Sequence, residues 1–157
     1  MTRFSAFSPS IAVAPQVSDA DFATIAGLGF KSVLNLRPDE ETGEFLQSGD
    51  AGHMARAFDL GYRHLPVHCH CVTDEEQIDA FVEALAELPQ PVFAYCKSGT
   101  RAAILWALAS AGRLPTEEIV RTAAVGGYDI SIALEDIEER AGEAIRVDVG
   151  VESHVAV

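Results

Sequence analysis

Cysteine is scarce in this chain, and the three present, Cys69, Cys71 and Cys96, lack the even count and spacing of a disulfide framework. In a reducing compartment they would be free thiols, and the question becomes which one is reactive. Long apolar runs are absent too: no stretch reaches the roughly 18 consecutive apolar residues of a membrane-spanning helix. In the N-terminal MTRFSAFSPSIAVAPQ, Ser5, Ser8 and Ser10 interrupt any sustained apolar segment, so no secretory signal is read there and a cytoplasmic protein is expected. Basic residues are few, 11 against 24 acids, for a net charge of −13. A field of that sign repels polyanions and argues against nucleic acid as a partner. Any bound anion must then be held by a local set of donors. Repeats, low-complexity runs and linkers rich in Pro, Gly or Ser are also missing, so the 157 residues read as one domain.

Apolar residues make up 48% of the chain and charged residues 22%, enough for a sizeable core. Strand and helix signals alternate. IAVA (11–14) reads as a strand, and Ser18-Asp19-Ala20-Asp21 resembles a capping box opening a helix that ends near Gly27 or Gly29. SVLNL (32–36) is the next strand, followed by the polar loop RPDEETGE, a helix over about 50–60, and a third strand YRHLPV (62–67). Thr73-Asp74-Glu75-Glu76 signals another helix start, with Ile78, Phe81, Val82 and Leu85 on one face. After Pro89 and Pro91 come a short apolar strand, VFAY (92–95), and a helix apolar almost all round, RAAILWALASA (101–111). Elements that apolar belong at the centre of a domain. Thr116 is expected to cap a further helix ending near Gly126-Gly127, and 131–141 to form a last one. In the tail (142–157) the alternation of Ile145, Val147, Val149 and Val151 leaves open an edge strand, a dimer contact or a frayed end. The expected fold is α/β, with a mostly parallel central sheet of four to five strands flanked by helices.

Cys96-Lys97-Ser98-Gly99-Thr100-Arg101 lies between the apolar strand and the apolar helix. A strand that turns this tightly into a helix aims several backbone N–H groups at one point, and the helix N-terminus adds partial positive charge. Gly99 supplies the unusual dihedrals such a cradle needs. Arg101, in the first helical turn, can hold an oxyanion through two parallel hydrogen bonds. The donors that hold an anion also suit a thiolate at Cys96. A Cys in an apolar strand is commonly a small buried hydrophobe, but Cys-x-x-Gly-x-Arg arises by chance in only roughly one chain per hundred of this length. Its place at a strand-to-helix junction favours function.

Two superfamilies build a cysteine-based cradle at such a junction: cysteine-dependent phosphatases, with Cys-x5-Arg, and rhodanese-type sulfurtransferases, with a shorter loop. Here the spacing is Cys-x4-Arg. The segments NLRPDEE (35–41), YRHLPV (62–67), PVFAYCKSGTR (91–101), LWALA (105–109) and GGYDI (126–130) together resemble one bacterial family, from about Phe7 to Leu134. It is the phosphatase-like domain of beta-lactamase hydrolase-like proteins, itself similar to the dual-specificity phosphatase fold. The resemblance implies Cys96 as nucleophile, Lys97, Ser98, Gly99, Thr100 and Arg101 as the oxyanion cradle, and Arg101 as the anion clamp. Members can be fused to a metallo-β-lactamase-like persulfide-oxidising domain. A chain of 157 residues has no room for one, so action alone or in trans is expected.

The sequence departs from the phosphatase pattern twice. The general-acid Asp, usually about thirty residues before the Cys, is missing. The matching loop reads His68-Cys69-His70-Cys71, with Asp74 the nearest carboxylate and Asp39 on another loop. His68, His70 or Asp74 is therefore the candidate acid. Ala102 stands where a Ser or Thr would assist the thiolate. Both departures favour, by comparison, sulfur transfer through a Cys96 persulfide, which needs no acid. As a metal site, His68–Cys71 fits no common zinc spacing, and neighbours in an extended segment point to opposite sides, so no metal is expected. Cys69 or Cys71 could instead form a protective disulfide with Cys96. Arg37 could line the pocket, although a strand-end Arg is more often solvated or ion-paired, and Trp106 reads as core. The leading expectation is a cysteine-dependent phosphatase-like hydrolase acting on a small anionic substrate without cofactor, possible as a homo-oligomer. A sulfurtransferase and a non-catalytic oxyanion-binding module are the alternatives.

Overall fold

The computed structural model describes residues 1–155, with side chains described through residue 144. Strands β1 (Ser5–Ser8), β2 (Ile11–Ala14), β3 (Ser32–Asn35), β4 (Gly61–His64) and β5 (Val92–Tyr95) form one sheet in the order β1-β2-β5-β3-β4. β1 is antiparallel to β2, and the other four run parallel. The α/β fold with a mostly parallel sheet is as expected.

β5 is central and all four of its residues are buried, which explains its uninterrupted apolar sequence. Side chains alternate across it. Val92, Ala94 and Cys96 join the core beneath α3 (Glu75–Glu87), α4 (Thr100–Ser110), α5 (Thr116–Val125) and the start of α6 (Leu134–Val155). Phe93 and Tyr95 join the second core with Phe22 and Ile25 of α1 (Asp21–Gly27) and Ala51 and Ala55 of α2 (Ser48–Ala57). Helix α4 is buried without interruption from Arg101 to Leu108, so it has no water-facing side over that length. Trp106 is core, 5% exposed, with its ring 4.7 Å from that of Phe7.

The parallel strands end level: Ala14 and Asn35 both pair with Tyr95, and Asn35 pairs with His64. Every segment that follows one of these strands therefore emerges at the same edge of the sheet. In open parallel sheets that edge is where ligands bind.

Several boundaries differ from the sequence reading. β1 was not anticipated, because its sequence SAFS is mostly polar and it borrows its pairing from β2. β4 stops at His64, and Pro66, which has no N–H to donate, lies in the extended continuation. Leu65 and Val67 still donate to the carbonyls of Asn35 and Leu36. At α5 the N-cap is Pro115 and Thr116 is the first helical residue, so Thr116 is not the cap. The capping box before α1 is half made: the Asp21 carboxylate accepts from the Ser18 N–H at 2.8 Å. Cys69–Cys71 forms one 3-10 turn, not an extended segment. The last helix starts at Leu134 and runs to Val155, which removes the edge-strand option for the tail. The side chains of Ile145, Val147, Val149 and Val151 lie outside the described residues. None of the described helices is long and apolar enough to cross a membrane.

Candidate active site

Cys96 is the first residue past β5. Its N–H closes the ladder on the Ala14 carbonyl at 3.3 Å, which fixes the strand end, and its side chain has no exposed surface. The chain then turns in three residues. Gly99 sits at φ +93° and its N–H donates to Cys96 Sγ at 3.1 Å, so the sulfur is held as a hydrogen-bond acceptor. The Gly99 carbonyl receives the Ala103 N–H at 3.0 Å, the first bond of α4. Ser98 Oγ donates to Thr100 Oγ1 at 3.0 Å. Lys97 and Ser98 are exposed, and the Lys97 carbonyl is tied to the Gln16 N–H, just past β2, at 3.1 Å. The turn is thus braced from the neighbouring strand as well as from its own helix.

Arg101 is 6% exposed, and its donor inventory decides what it can bind. Nη1 and Nη2 donate to Glu41 Oε2 and Oε1 at 2.6 and 3.0 Å, and Nη1 also donates to the Val67 carbonyl at 2.8 Å. Three of the five N–H bonds of a guanidinium are used in this way. The Nε hydrogen and the second Nη2 hydrogen, parallel on the other edge, have no partner among the described residues. That free edge is the geometry that grips a tetrahedral oxyanion. Glu41 therefore orients the guanidinium without occupying its binding edge.

Glu41 is also shared with Arg37, whose Nε donates to Oε1 at 3.1 Å. Arg37, 5% exposed, donates further to Gln16 Oε1 at 3.2 Å and the Thr42 carbonyl at 3.3 Å, beneath the Phe45 ring. Arg37 is thus ion-paired and supports the site from behind. Hydrogen bonds from Arg101, ahead of opposing burial, hold the Glu41 carboxyl below its usual range. Burial opposes the Arg101 charge, but Glu41 and the nearby Cys96 and Cys69 sulfurs outweigh it and raise its pKa. Breaking a pair this well enclosed is costly, so Glu41→Gln is expected to lose about 2–4 kcal/mol of stability near neutral pH by urea titration. Because folding lowers the Glu41 pKa, its stabilisation is complete above the unfolded value of about 4.5. It fades as pH falls from there through the lower folded value. The difference between parent and Glu41→Gln should shrink over that same window. A constant difference across it would contradict the pairing.

Tyr128, in the GGYDI segment, covers the turn. A Cβ built on Gly99 would lie 2.2 Å from Tyr128 Oη and 2.7 Å from Cζ. Gly99→Ala therefore meets both a left-handed φ that side chains rarely adopt and a tyrosine ring that would have to shift. We expect a destabilisation of about 2–4 kcal/mol, read by calorimetry.

The remaining candidates fall as follows. His68, half-exposed, faces Glu40 with Nε2 3.4 Å from Oε1, and the His70 ring stacks on it at 5.7 Å. Val67, whose carbonyl holds Arg101, immediately precedes His68, so that loop is at the cradle's side. Asp74 is the exposed N-cap of α3. Asp39 is committed to the first residue of α2, accepting from the Ser48 N–H at 2.8 Å and Oγ at 2.5 Å. Burial and the neighbouring Asp74 carboxylate push the Cys71 thiol up, which makes it a poor nucleophile. All three cysteines are free thiols, with Cys69 exposed. Among the described residues no three His, Cys, Asp or Glu side chains are placed to share a metal ion. Sequence reasoning missed Glu41, Gln16 and Tyr128 as site residues. The first and last lay inside the family-like segments NLRPDEE and GGYDI, which was the available signal.

The description "Beta-lactamase hydrolase-like protein, phosphatase-like domain" matches residues 3–113. The chain is 37% identical to a beta-lactamase hydrolase-like protein of Agrobacterium fabrum over 136 residues, covering 83% of this chain and 31% of that one. It thus spans about a third of the length of the curated relatives it matches. The crystal structure of a candidate phosphatase from Neisseria meningitidis, nma1982, superposes with a TM-score of 0.78 at 26% identity, covering 86% of this chain and 96% of that one. PTPMT1, also crystallised with PI(5)P, shares the fold at 14% identity with a TM-score of 0.67, covering 94% of this chain and 99% of that one. The family description covers more than two thirds of the chain, including the turn from Cys96 to Arg101, and the chain belongs to the family of phosphatase-like domains of beta-lactamase hydrolase-like proteins.

Proposed function

We propose that this chain is a cysteine-dependent phosphatase-like hydrolase acting on a small phosphoester. The observation that carries the reading is the bidentate edge of Arg101 that none of the described residues engages, set by Glu41 and Val67, on the turn whose Gly99 amide faces Cys96 Sγ. Catalysis of this type is positioning plus stabilisation of charge on the equatorial oxygens, and that is what the turn can supply. Cys96 as a thiolate attacks phosphorus. The S–P bond forms as the ester P–O bond breaks, and the departing oxygen takes a proton from His68. Water then attacks the thiophosphoryl-Cys96, giving its proton back to His68, and inorganic phosphate leaves with the thiolate restored. His68 is favoured over His70 and Asp74 because it directly follows Val67 and has Glu40 beside it to balance an imidazolium. Ala102 offers no hydroxyl to the sulfur, so the Gly99 amide carries that task in this chain.

The charge of −13 favours a small substrate over an acidic phosphoprotein. A phosphorylated small molecule, the class to which the PI(5)P seen with PTPMT1 belongs, is the substrate we infer. The test gives the protein an aryl phosphate, and separately thiosulfate with cyanide, beside a Cys96→Ser control. Phosphate release that depends on Cys96 is expected. Thiocyanate formation without phosphate release would replace this reading with sulfur transfer, and inactivity in both with phosphate binding retained would leave a binding module.

A further inference from the structure

We infer that Tyr128 is a catalytic residue of the same site, its hydroxyl donating a hydrogen bond to an oxygen of the anion bound over Cys96; this rests on the oxyanion-cradle reading above. Three observations converge on it. First, the phenol lies directly on the turn: the position a Gly99 Cβ would take is 2.2, 2.7 and 2.8 Å from Tyr128 Oη, Cζ and Cε1. The hydroxyl end, not the ring edge, is the part closest to the residue whose amide touches Sγ. Second, the ring is held in place from elsewhere. The Tyr128 backbone N–H donates to the Ala123 carbonyl at 2.9 Å, and the ring makes a T-shaped contact with the Phe7 ring, centroids 6.0 Å apart. Phe7 is in turn packed on Trp106 of the buried helix. A phenol located this well is pre-organised, so little entropy is lost when it engages a ligand. Third, the hydroxyl has no hydrogen-bond partner among the described residues, although the ring is half-buried. A half-buried donor without a partner beside an anion cradle is poised for the anion.

The ionisation state agrees with this role. Burial, and then the charge of Cys96, push the Tyr128 hydroxyl above its ordinary value, so it remains a protonated donor throughout the neutral range. Arg101 would grip the anion from the Glu41 side, the loop amides from below, and Tyr128 from the α5 side. The cradle would then be completed by a residue that lies outside the matched span 3–113 and some thirty residues beyond the turn.

The test compares the parent with Tyr128→Phe, which keeps the ring and its contact with Phe7. Binding of inorganic phosphate is measured by calorimetry, with the melting temperature and the kinetics on an aryl phosphate alongside. A hydrogen bond to a charged oxygen predicts a dissociation constant raised about tenfold or more, and kcat/KM lowered at least as much, with the melting temperature unmoved. A parent that binds phosphate and a Tyr128→Phe variant that binds it equally would overturn this assignment alone, leaving Tyr128 as packing over Gly99. A parent that binds no phosphate would overturn the cradle reading and this assignment with it.

Discussion

Cys96→Ser is expected to lower turnover of an aryl phosphate by at least about 10³-fold while inorganic phosphate still binds within about threefold of the parent. The split follows from what the sulfur does and does not touch. Phosphate oxygens are to be held by the free Arg101 edge and the turn amides, none of which the substitution removes. Serine is small enough for the same buried place in the core, and its oxygen can accept the Gly99 N–H in the sulfur's stead. What is lost is the nucleophile. A serine hydroxyl stays protonated at neutral pH, and the described structure has no general base placed against it. Steady-state kinetics together with calorimetry read the two halves separately. If the variant retained a tenth or so of parental turnover, Cys96 would not be the attacking group.

Arg101→Lys is the second large effect. The charge is kept, so a purely coulombic role would survive it. The geometry is not kept: one ammonium cannot face Glu41, the Val67 carbonyl and a bound oxyanion at once. Loss of a charge-stabilising donor pair at the reacting group predicts kcat/KM down by about 10²–10³-fold. Stability should fall as well, because an ammonium cannot replace the two parallel bonds that Arg101 gives the Glu41 carboxylate. Phosphate affinity measured beside kinetics separates ground-state grip from transition-state stabilisation. Activity within about threefold of the parent would mean that charge alone suffices and that the free edge has no role.

The part of this site that could be read in the sequence is the part that is local. Strand, turn and helix from Val92 to Ser110 follow each other without a gap, and the apolar character of both flanks marks them as central. Gly99 and Arg101 take their roles from positions within that one turn. The remainder depends on strand order. Glu41 meets Arg101 across sixty residues because β3 lies beside β5, and the two strands end level at Asn35 and Tyr95. Gln16 reaches the Lys97 carbonyl because β2 flanks β5 on the other side. No periodicity in the sequence encodes that β5 inserts between β2 and β3. Arg37 illustrates the limit: its type and its strand-end position were legible, but the choice between solvated and ion-paired needed Glu41 to be brought to it. The loop after β4 shows the opposite failure. An extended segment was expected from His68 to Cys71, and the residues close a 3-10 turn instead, with the Cys71 N–H on the His68 carbonyl at 3.0 Å.

The most direct test is a crystal structure of the protein with vanadate. The account predicts vanadium bonded to Cys96 Sγ, two of its oxygens on the Nε and Nη2 hydrogens of Arg101, and Glu41 still holding the opposite edge of that guanidinium. Vanadate seated away from the sulfur at saturating concentration, or Arg101 swung off Glu41 with its fork in solvent, would contradict it.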